Sequence, residues 1–161
     1  MVSNGDREWP RVHVRACLVV GDAAVFERAQ AWVGAQAATR SVLDWRVQTV
    51  TTLQQAMDCP AQVLPVWQTG PRGAGCVAPG HITAQGGRSA ADAVIWAARA
   101  ALQGDVAAVV TAPVHKQALA AAGVSYPGHT ELLQAEAAAH AGCSLAEMPV
   151  RMMLANDELR T

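Results

Sequence analysis

Aromatic residues are scarce in this chain. Only 4% of its 161 residues are aromatic, whereas 52% are hydrophobic, and alanine supplies much of that hydrophobic share. With so few bulky rings, close packing of helices is expected and not a bulky aromatic core. The length allows one domain with a real core, but not comfortably two.

Other absences exclude whole classes of protein. No apolar run approaches the roughly 20 residues of a membrane-spanning helix. The net charge is -1, and the basic residues do not form a continuous stripe. We therefore expect neither a membrane nor a nucleic acid as partner. The polar, acid-containing segment from Met1 to Glu8 is not typical of a signal peptide, so the expected compartment is the cytoplasm. Cys17, Cys59, Cys76 and Cys143 form no C-x-x-C pair, and reduced, buried thiols are the simplest interpretation.

Short apolar runs alternate with helical patterns along the chain. The periodicity predicts strands at Val12 to Val20, Arg46 to Thr51, Gln62 to Trp67, Val106 to Val110 and Pro149 to Ala155, and helices at Ala23 to Ala35, Ser89 to Leu102, Lys116 to Ala122 and Gly128 to Ala141. The uninterrupted run from Val106 to Val110 is expected at the centre of the sheet. Ser144 to Glu147 fits a capping box. Together the patterns predict one α/β/α domain with a largely parallel sheet covered on both faces.

Glycine is concentrated in two places. The segment from Gln68 to Gly80 contains four glycines and two prolines, which predicts a loop, either a flexible linker or, more plausibly, an ordered surface excursion. Gly86-Gly87 precedes the predicted long helix, where the pair could admit a phosphate or simply form the turn that enters the helix.

Two segments are candidates for chemistry, because ligands of open α/β sheets bind where strands lead into helix N-termini. In the first, Thr111 offers a hydroxyl and Lys116 an ammonium group directly after the strongest predicted strand. In the second, Pro127 to Glu131, His129 and Thr130 stand at a helix start whose free N–H groups favour an anion.

Each candidate has a purely structural alternative. Lys116 could be a solvated helix residue, and the segment around His129 could be an ordinary helix cap. The other histidines show no metal-ligand spacing and are interpreted as structural or exposed; they are His13, His81, His115 and His140. The sequence lacks G-x-G-x-x-G after a strand, G-x-x-x-x-G-K-[ST] and G-x-S-x-G.

Three segments in order and spacing carry a family resemblance. They are V-T-A-P-V-H-K (Val110 to Lys116), A-G-V-S-Y-P-G-H-T-E (Ala122 to Glu131) and M-M-L-A-N-D-E-L-R (Met152 to Arg160). With them the chain resembles the 4-hydroxythreonine-4-phosphate dehydrogenase family, strongly from about Gly86 onward and weakly before it. The resemblance implies a three-layer, isocitrate/isopropylmalate-dehydrogenase-like fold and a homodimer for the full-length enzyme.

The same resemblance implies a reaction in vitamin B6 biosynthesis. NAD or NADP would oxidise the carbon-3 hydroxyl of 4-(phosphooxy)-L-threonine, and the β-keto acid would then lose carbon dioxide. A divalent metal cation would polarise the hydroxyl and then the ketone. The family's substrate contacts map to His129 and Thr130, with Thr111 and Lys116 less directly supported; no catalytic or cofactor-binding residue is assigned.

The chain also departs from the family pattern. It lacks the family's opening Gly-Asp-Pro-x-Gly-Ile-Gly-Pro segment, and Gly21-Asp22 matches a later strand. The metal-ligating histidines and the cofactor residues are expected beyond Thr161, so the chain is interpreted as the N-terminal portion of a longer dehydrogenase. The alternatives are a related dehydrogenase for another sugar-acid or dihydrodiol substrate, and a truncated, non-catalytic binding or dimerisation module.

Overall fold

The computed structural model describes residues 16–35 and 45–154. Its elements in chain order are β1 (Val19–Gly21), α1 (Ala23–Ala35), β2 (Arg46–Val50), α2 (Leu53–Met57), β3 (Val63–Gln68), α3 (Ala84–Leu102), α4 (Lys116–Ala121) and α5 (His129–Ala141). The predicted helix from Ala23 to Ala35 is confirmed residue for residue, and α4 and α5 each differ from the prediction by one residue.

The strands form a parallel sheet in the order β1-β3-β2. β3 is central, with Val19 of β1 and Thr49 of β2 both opposite Val66. Val66 is fully buried, as the middle of a helix-covered parallel sheet requires. The expectation of a largely parallel sheet is therefore confirmed.

Pro65 limits the length of β1. The carbonyl of Gln62 accepts a hydrogen bond from β2, whereas the N–H of Thr69 donates to Gly21 of β1. Backbone polar groups alternate in direction along a strand, so residue 65 faces β1 and, as proline, has no N–H to offer there. Pairing with β1 accordingly starts only at Val66. The predicted strand from Val12 to Val20 is thus shorter than expected where it is described; residues 12–15 lie outside the described residues.

Two predicted strands do not form within the described residues. The segment from Val106 to Val110 is irregular and Val110 is 96% exposed, so its expected place at the centre of the sheet is wrong. The described residues of the predicted strand from Pro149 to Ala155 are also irregular, and Met152 and Met153 are exposed; Ala155 lies outside the described part. An apolar run becomes a strand only beside a strand that shares its hydrogen bonds, and none of the three described strands pairs with either segment.

The long helix α3 begins earlier than predicted. Thr83 caps it by accepting a hydrogen bond from the N–H of Gly86 through its side chain, so the helix starts at Ala84 and includes both glycines. Gly87 has a packing role: a Cβ built there would lie 1.9 Å from the carbonyl oxygen of Ala118. Both glycines lie inside the helix and not in a turn before it, and Gly87 lets α4 approach the backbone of α3 closely.

Small side chains dominate the contacts of α3, as the scarcity of aromatic residues predicts. The helix packs against β1, α4 and α5. Its buried residues are Gly87, Ala91, Ala98 and Ala100. One large contact joins it to the sheet, where the rings of Trp67 and Trp96 lie 4.4 Å apart.

The glycine-rich loop is ordered by a buried carboxylate. Asp22, 2% exposed, accepts hydrogen bonds from the N–H groups of Gly73 and Gly75 at 3.0 and 2.8 Å, and from that of Ala24 at 3.1 Å. The amide of Gln68 donates at 3.4 Å. Burial alone raises the pKa of Asp22, but these donors outweigh it and hold the pKa below its usual value. The loop is therefore an ordered surface loop, hydrogen-bonded to Asp22 at the end of β1.

The remaining local predictions have mixed outcomes. Glu147 accepts hydrogen bonds from the N–H and the hydroxyl of Ser144, so the acidic half of the expected capping box is present, and these bonds lower the pKa of Glu147. All four cysteines are free, but the expectation that they are buried is wrong, because Cys17 and Cys76 are exposed. Both lie outside helices and strands. No helix within residues 16–35 and 45–154 combines the length and hydropathy needed to cross a membrane.

Candidate functional site

The N-terminus of α5 presents uncapped backbone donors. The helix starts at His129, and the preceding Gly128 is extended, at φ -167 and ψ -168, and provides no side chain for a cap. His129 and Thr130 are half-buried. The predicted position of both residues at a helix start is confirmed, and the alternative of a side-chain cap finds no hydrogen bond to support it in the described residues.

Lys116 lies beside this helix start. Its Cε is 3.9 Å from the position that a Cβ on Gly128 would occupy, and the Oε2 atom of Glu131 is 3.5 Å from the same point. The ion pairs found within the described residues are Arg72–Glu27 and Arg99–Glu136, so the Lys116 ammonium and the Glu131 carboxylate flank Gly128 without forming one. In this corner, formed by Lys116, Gly128 and Glu131, the ammonium group and the uncapped N–H groups favour anionic oxygens, whereas the Glu131 carboxylate opposes them.

A series of contacts links α4 to the residues that follow β1. Asp22, directly after β1, binds the glycine-rich loop, and a Cβ on Gly75 of that loop would lie 3.0 Å from Oγ of Ser89 in α3. The same end of α3 meets α4 through Gly87. These contacts connect the end of β1 to α3, and α3 to α4, which begins at Lys116.

The predicted site residues are only partly brought together. Lys116 adjoins the segment that contains His129 and Thr130, whereas Thr111 is exposed in the irregular chain between α3 and α4. The premise that Thr111 follows a buried strand is wrong, because the segment before it is not a strand. His81, His115 and His140 are exposed, as expected, and His13 lies outside the described residues.

Gly128 and Glu131 were not singled out as site residues from the sequence. A Cβ on Gly128 would meet the Lys116 chain and the Glu131 carboxylate only at ordinary van der Waals distances, 3.9 and 3.5 Å, so Gly128 marks the point that both side chains approach. The available signal was the G-H-T-E motif itself, in which a glycine before the helix and an acid in its first turn accompany the two candidate contacts.

The described residues do not fit a resident metal ion. Among them, no group of three or more histidine, cysteine, aspartate or glutamate side chains is arranged to hold one. The expectation that metal ligands lie beyond Thr161 stays a prediction.

Comparison with known proteins gives a consistent assignment. Residues 13–161 match the family described as pyridoxal phosphate biosynthetic protein PdxA. A 4-hydroxythreonine-4-phosphate dehydrogenase of Beijerinckia indica is 40% identical over 147 residues, covering 91% of this chain and 38% of that protein. A D-threonate 4-phosphate dehydrogenase of Bordetella bronchiseptica is 40% identical over 119 residues, covering 74% of this chain and 31% of its own length.

Solved structures agree on the fold. The crystal structure of a 4-hydroxythreonine-4-phosphate dehydrogenase from Klebsiella pneumoniae matches 89% of this chain and 38% of its own, with a TM-score of 0.67 and 29% sequence identity. The match confirms the expected three-layer α/β/α class. The chain spans less than two fifths of the length of the Beijerinckia and Klebsiella proteins.

Proposed function

This chain belongs to the family of the pyridoxal phosphate biosynthetic protein PdxA, and we propose on that premise that it is the N-terminal portion of a 4-hydroxythreonine-4-phosphate dehydrogenase. The enzyme would oxidise the carbon-3 hydroxyl of 4-(phosphooxy)-L-threonine with NAD or NADP, and the resulting β-keto acid would lose carbon dioxide. We further propose that the full-length enzyme is a cytoplasmic homodimer.

Within that reaction, this chain supplies substrate contacts. The observation that carries the proposal is the approach of Lys116 to Gly128, 3.9 Å from Cε to the Cβ position, because it adds a cation to the helix start that bears His129 and Thr130. An imidazole, a hydroxyl, an ammonium group and uncapped N–H groups together match the anionic oxygens of a phosphorylated amino acid. We propose His129 and Thr130 as the principal contacts, Lys116 as a supporting cation, and Thr111 as a further contact.

The metal and the nicotinamide cofactor are assigned to other residues. A divalent cation supplies Lewis-acid polarisation of the hydroxyl and of the ketone in such a reaction. The described residues offer no donor set for it. We assign neither the cation nor NAD(P) to any residue of this chain and propose that their ligands follow Thr161.

A binding experiment tests the substrate contacts. We expect His129→Ala to weaken the binding of 4-(phosphooxy)-L-threonine about 10- to 100-fold, the loss typical of a hydrogen bond to a charged group. His140→Ala is the matched control, since His140 is an exposed histidine in the last turn of the same helix. The titration is made on this chain and on a full-length relative with the same motif, with the melting temperature recorded for each variant.

The proposal fails if His129→Ala and His140→Ala bind the substrate equally. A large fall in melting temperature with unchanged binding would instead show that His129 stabilises the start of α5.

D-threonate 4-phosphate is a second candidate substrate. A relative named for that activity is 40% identical over 74% of this chain. The two molecules share the phosphate, and at carbon 2 the threonine has an ammonium group where the threonate has a hydroxyl. Parallel titration with both compounds distinguishes them, because the contacts proposed for the phosphate serve either one. Binding of neither compound, in a protein that self-associates, would favour the dimerisation module.

A further inference from the structure

The first turns of α3 hold α4 at two points. A Cβ on Gly87 would lie 1.9 Å from the carbonyl oxygen of Ala118 and 3.0 Å from the N of Leu119, so the two backbones are in direct contact. One residue further on, the guanidinium of Arg88 donates a hydrogen bond to the carbonyl oxygen of Ala122, the C-cap of α4. The middle and the C-terminal end of α4 are both fixed by α3.

α4 depends on such contacts for its position. It is a helix of 6 residues, which is too short to be stable by itself. His115 at its N-cap makes no side-chain cap hydrogen bond. Leu119, 1% exposed, is the buried residue of the helix. A cation at the C-terminal carbonyls also complements the helix dipole.

We propose that Gly87 and Arg88 are positioning residues for Lys116. By fixing α4 from the side and from its C-terminal end, they hold the Lys116 side chain over Gly128 at the start of α5. The inference rests on the proposed function, because the position of Lys116 matters only if its ammonium meets the substrate. Neither residue touches the substrate; each acts through α4.

The position of Lys116 can be measured without any ligand. Lys116 Cε lies 3.9 Å from the Cβ position of Gly128, so a nuclear Overhauser effect is expected between the Lys116 ε protons and the Gly128 α protons of the 161-residue chain. We expect Arg88→Met to abolish this signal, and Arg88→Lys to restore it because the cation at Ala122 returns. Arg46→Met is the matched control, an exposed arginine on β2.

Gly87→Ala provides a second, independent perturbation. We expect it to abolish the same signal, while the Cα chemical shifts of α4 show that the helix persists. Retention of the signal in both Arg88→Met and folded Gly87→Ala would overturn the proposal, as would its absence from the wild-type chain. If Gly87→Ala does not fold, Arg88→Met decides, since Arg88 is exposed and its replacement creates no clash.

The result is separable from the proposed function. Loss of the Overhauser signal with unchanged substrate binding in Lys116→Ala would confirm the positioning and exclude Lys116 from the site. The opposite outcome is weak substrate binding in Lys116→Ala together with an unaltered Overhauser signal in Gly87→Ala and Arg88→Met. It would support Lys116 as a substrate contact and refute the positioning role of Gly87 and Arg88.

Discussion

Asp22→Asn tests whether one buried carboxylate fastens the glycine-rich loop to the sheet. The substitution preserves size and leaves one oxygen for the N–H groups of Gly73 and Ala24, which Oδ1 now accepts at 3.0 and 3.1 Å. The second oxygen, which accepts from Gly75 at 2.8 Å, becomes an NH₂ group that faces another donor. The variant therefore loses a charge-assisted hydrogen bond and leaves a donor at Gly75 unsatisfied.

The expected loss in the free energy of unfolding is about 2–3 kcal/mol at neutral pH, since hydrogen bonds to charged groups contribute roughly 1.5–3 kcal/mol. Solvent screening should weaken these hydrogen bonds little, because Asp22 is 2% exposed. Asp22→Ala is expected to lose more, as it removes the acceptor for all three N–H groups.

The loss should depend on pH in one direction. Hydrogen bonds lower the pKa of Asp22 in the folded state, whereas the pKa of an aspartate in an unfolded chain is about 3.9. The carboxylate therefore contributes its full stabilisation above about pH 4, and this is lost as the pH falls through the lowered folded value. The difference in the free energy of unfolding between wild type and Asp22→Asn should become smaller only in acid.

Urea unfolding followed by circular dichroism, at neutral pH and in steps below it, measures both effects. Asp105→Asn is the control, because Asp105 is exposed. Equal stability of Asp22→Asn and wild type at neutral pH would refute the reasoning, and so would a difference that persists unchanged in acid.

Further predictions concern the helices and the reaction. Gly87→Ala should lower the free energy of unfolding by about 1–3 kcal/mol, because the α3–α4 contact must open by about an ångström. Gly34→Ala, with nothing within 4 Å of its Cβ, should be neutral or stabilising by up to about 1 kcal/mol. Thermal melts of the two variants measure the contrast. A double-mutant cycle on Arg99 and Glu136, which are 2.7 Å apart with Arg99 64% exposed, should give a coupling of about 0.5 kcal/mol that falls with added salt; a coupling insensitive to salt would contradict the surface assignment. The 161-residue chain alone should not turn over 4-(phosphooxy)-L-threonine with NAD(P) and a divalent cation, and measurable reduction of NAD(P) would overturn the assignment of those ligands to other residues.

Local signals were sufficient for α1, α4 and α5 and for one part of the site, whereas α2 was not predicted and the start of α3 was placed five residues too late. The helix from Ala23 to Ala35 follows from its own spacing of apolar residues, and the start of α5 follows from Gly128 before a helical pattern. His129 and Thr130 were placed at that start for the same reason. These features depend on residues close together in the sequence.

Non-local pairing was beyond the same reasoning. The run from Val106 to Val110 has every local property of a buried strand and yet is exposed, because no described strand pairs with it. The approach of Lys116 to Gly128 was equally inaccessible, since it joins residues at the starts of two different helices whose packing no local pattern specifies. Gly86-Gly87 carried a signal in the sequence, but its meaning requires the neighbouring helix.

The alanine-and-glycine contact between α3 and α4 has an entropic consequence. Alanine and glycine have no side-chain rotamers to lose, so forming the contact costs only the ordering of the backbone. Gly87 of α3 meets Ala118 of α4 in this way. Such a contact also cannot repack around a larger residue, because Gly87 has no side chain that could change rotamer to make room. The distance between these helices is thus fixed by backbone shape, and it should vary less with temperature than a contact made by long, flexible side chains.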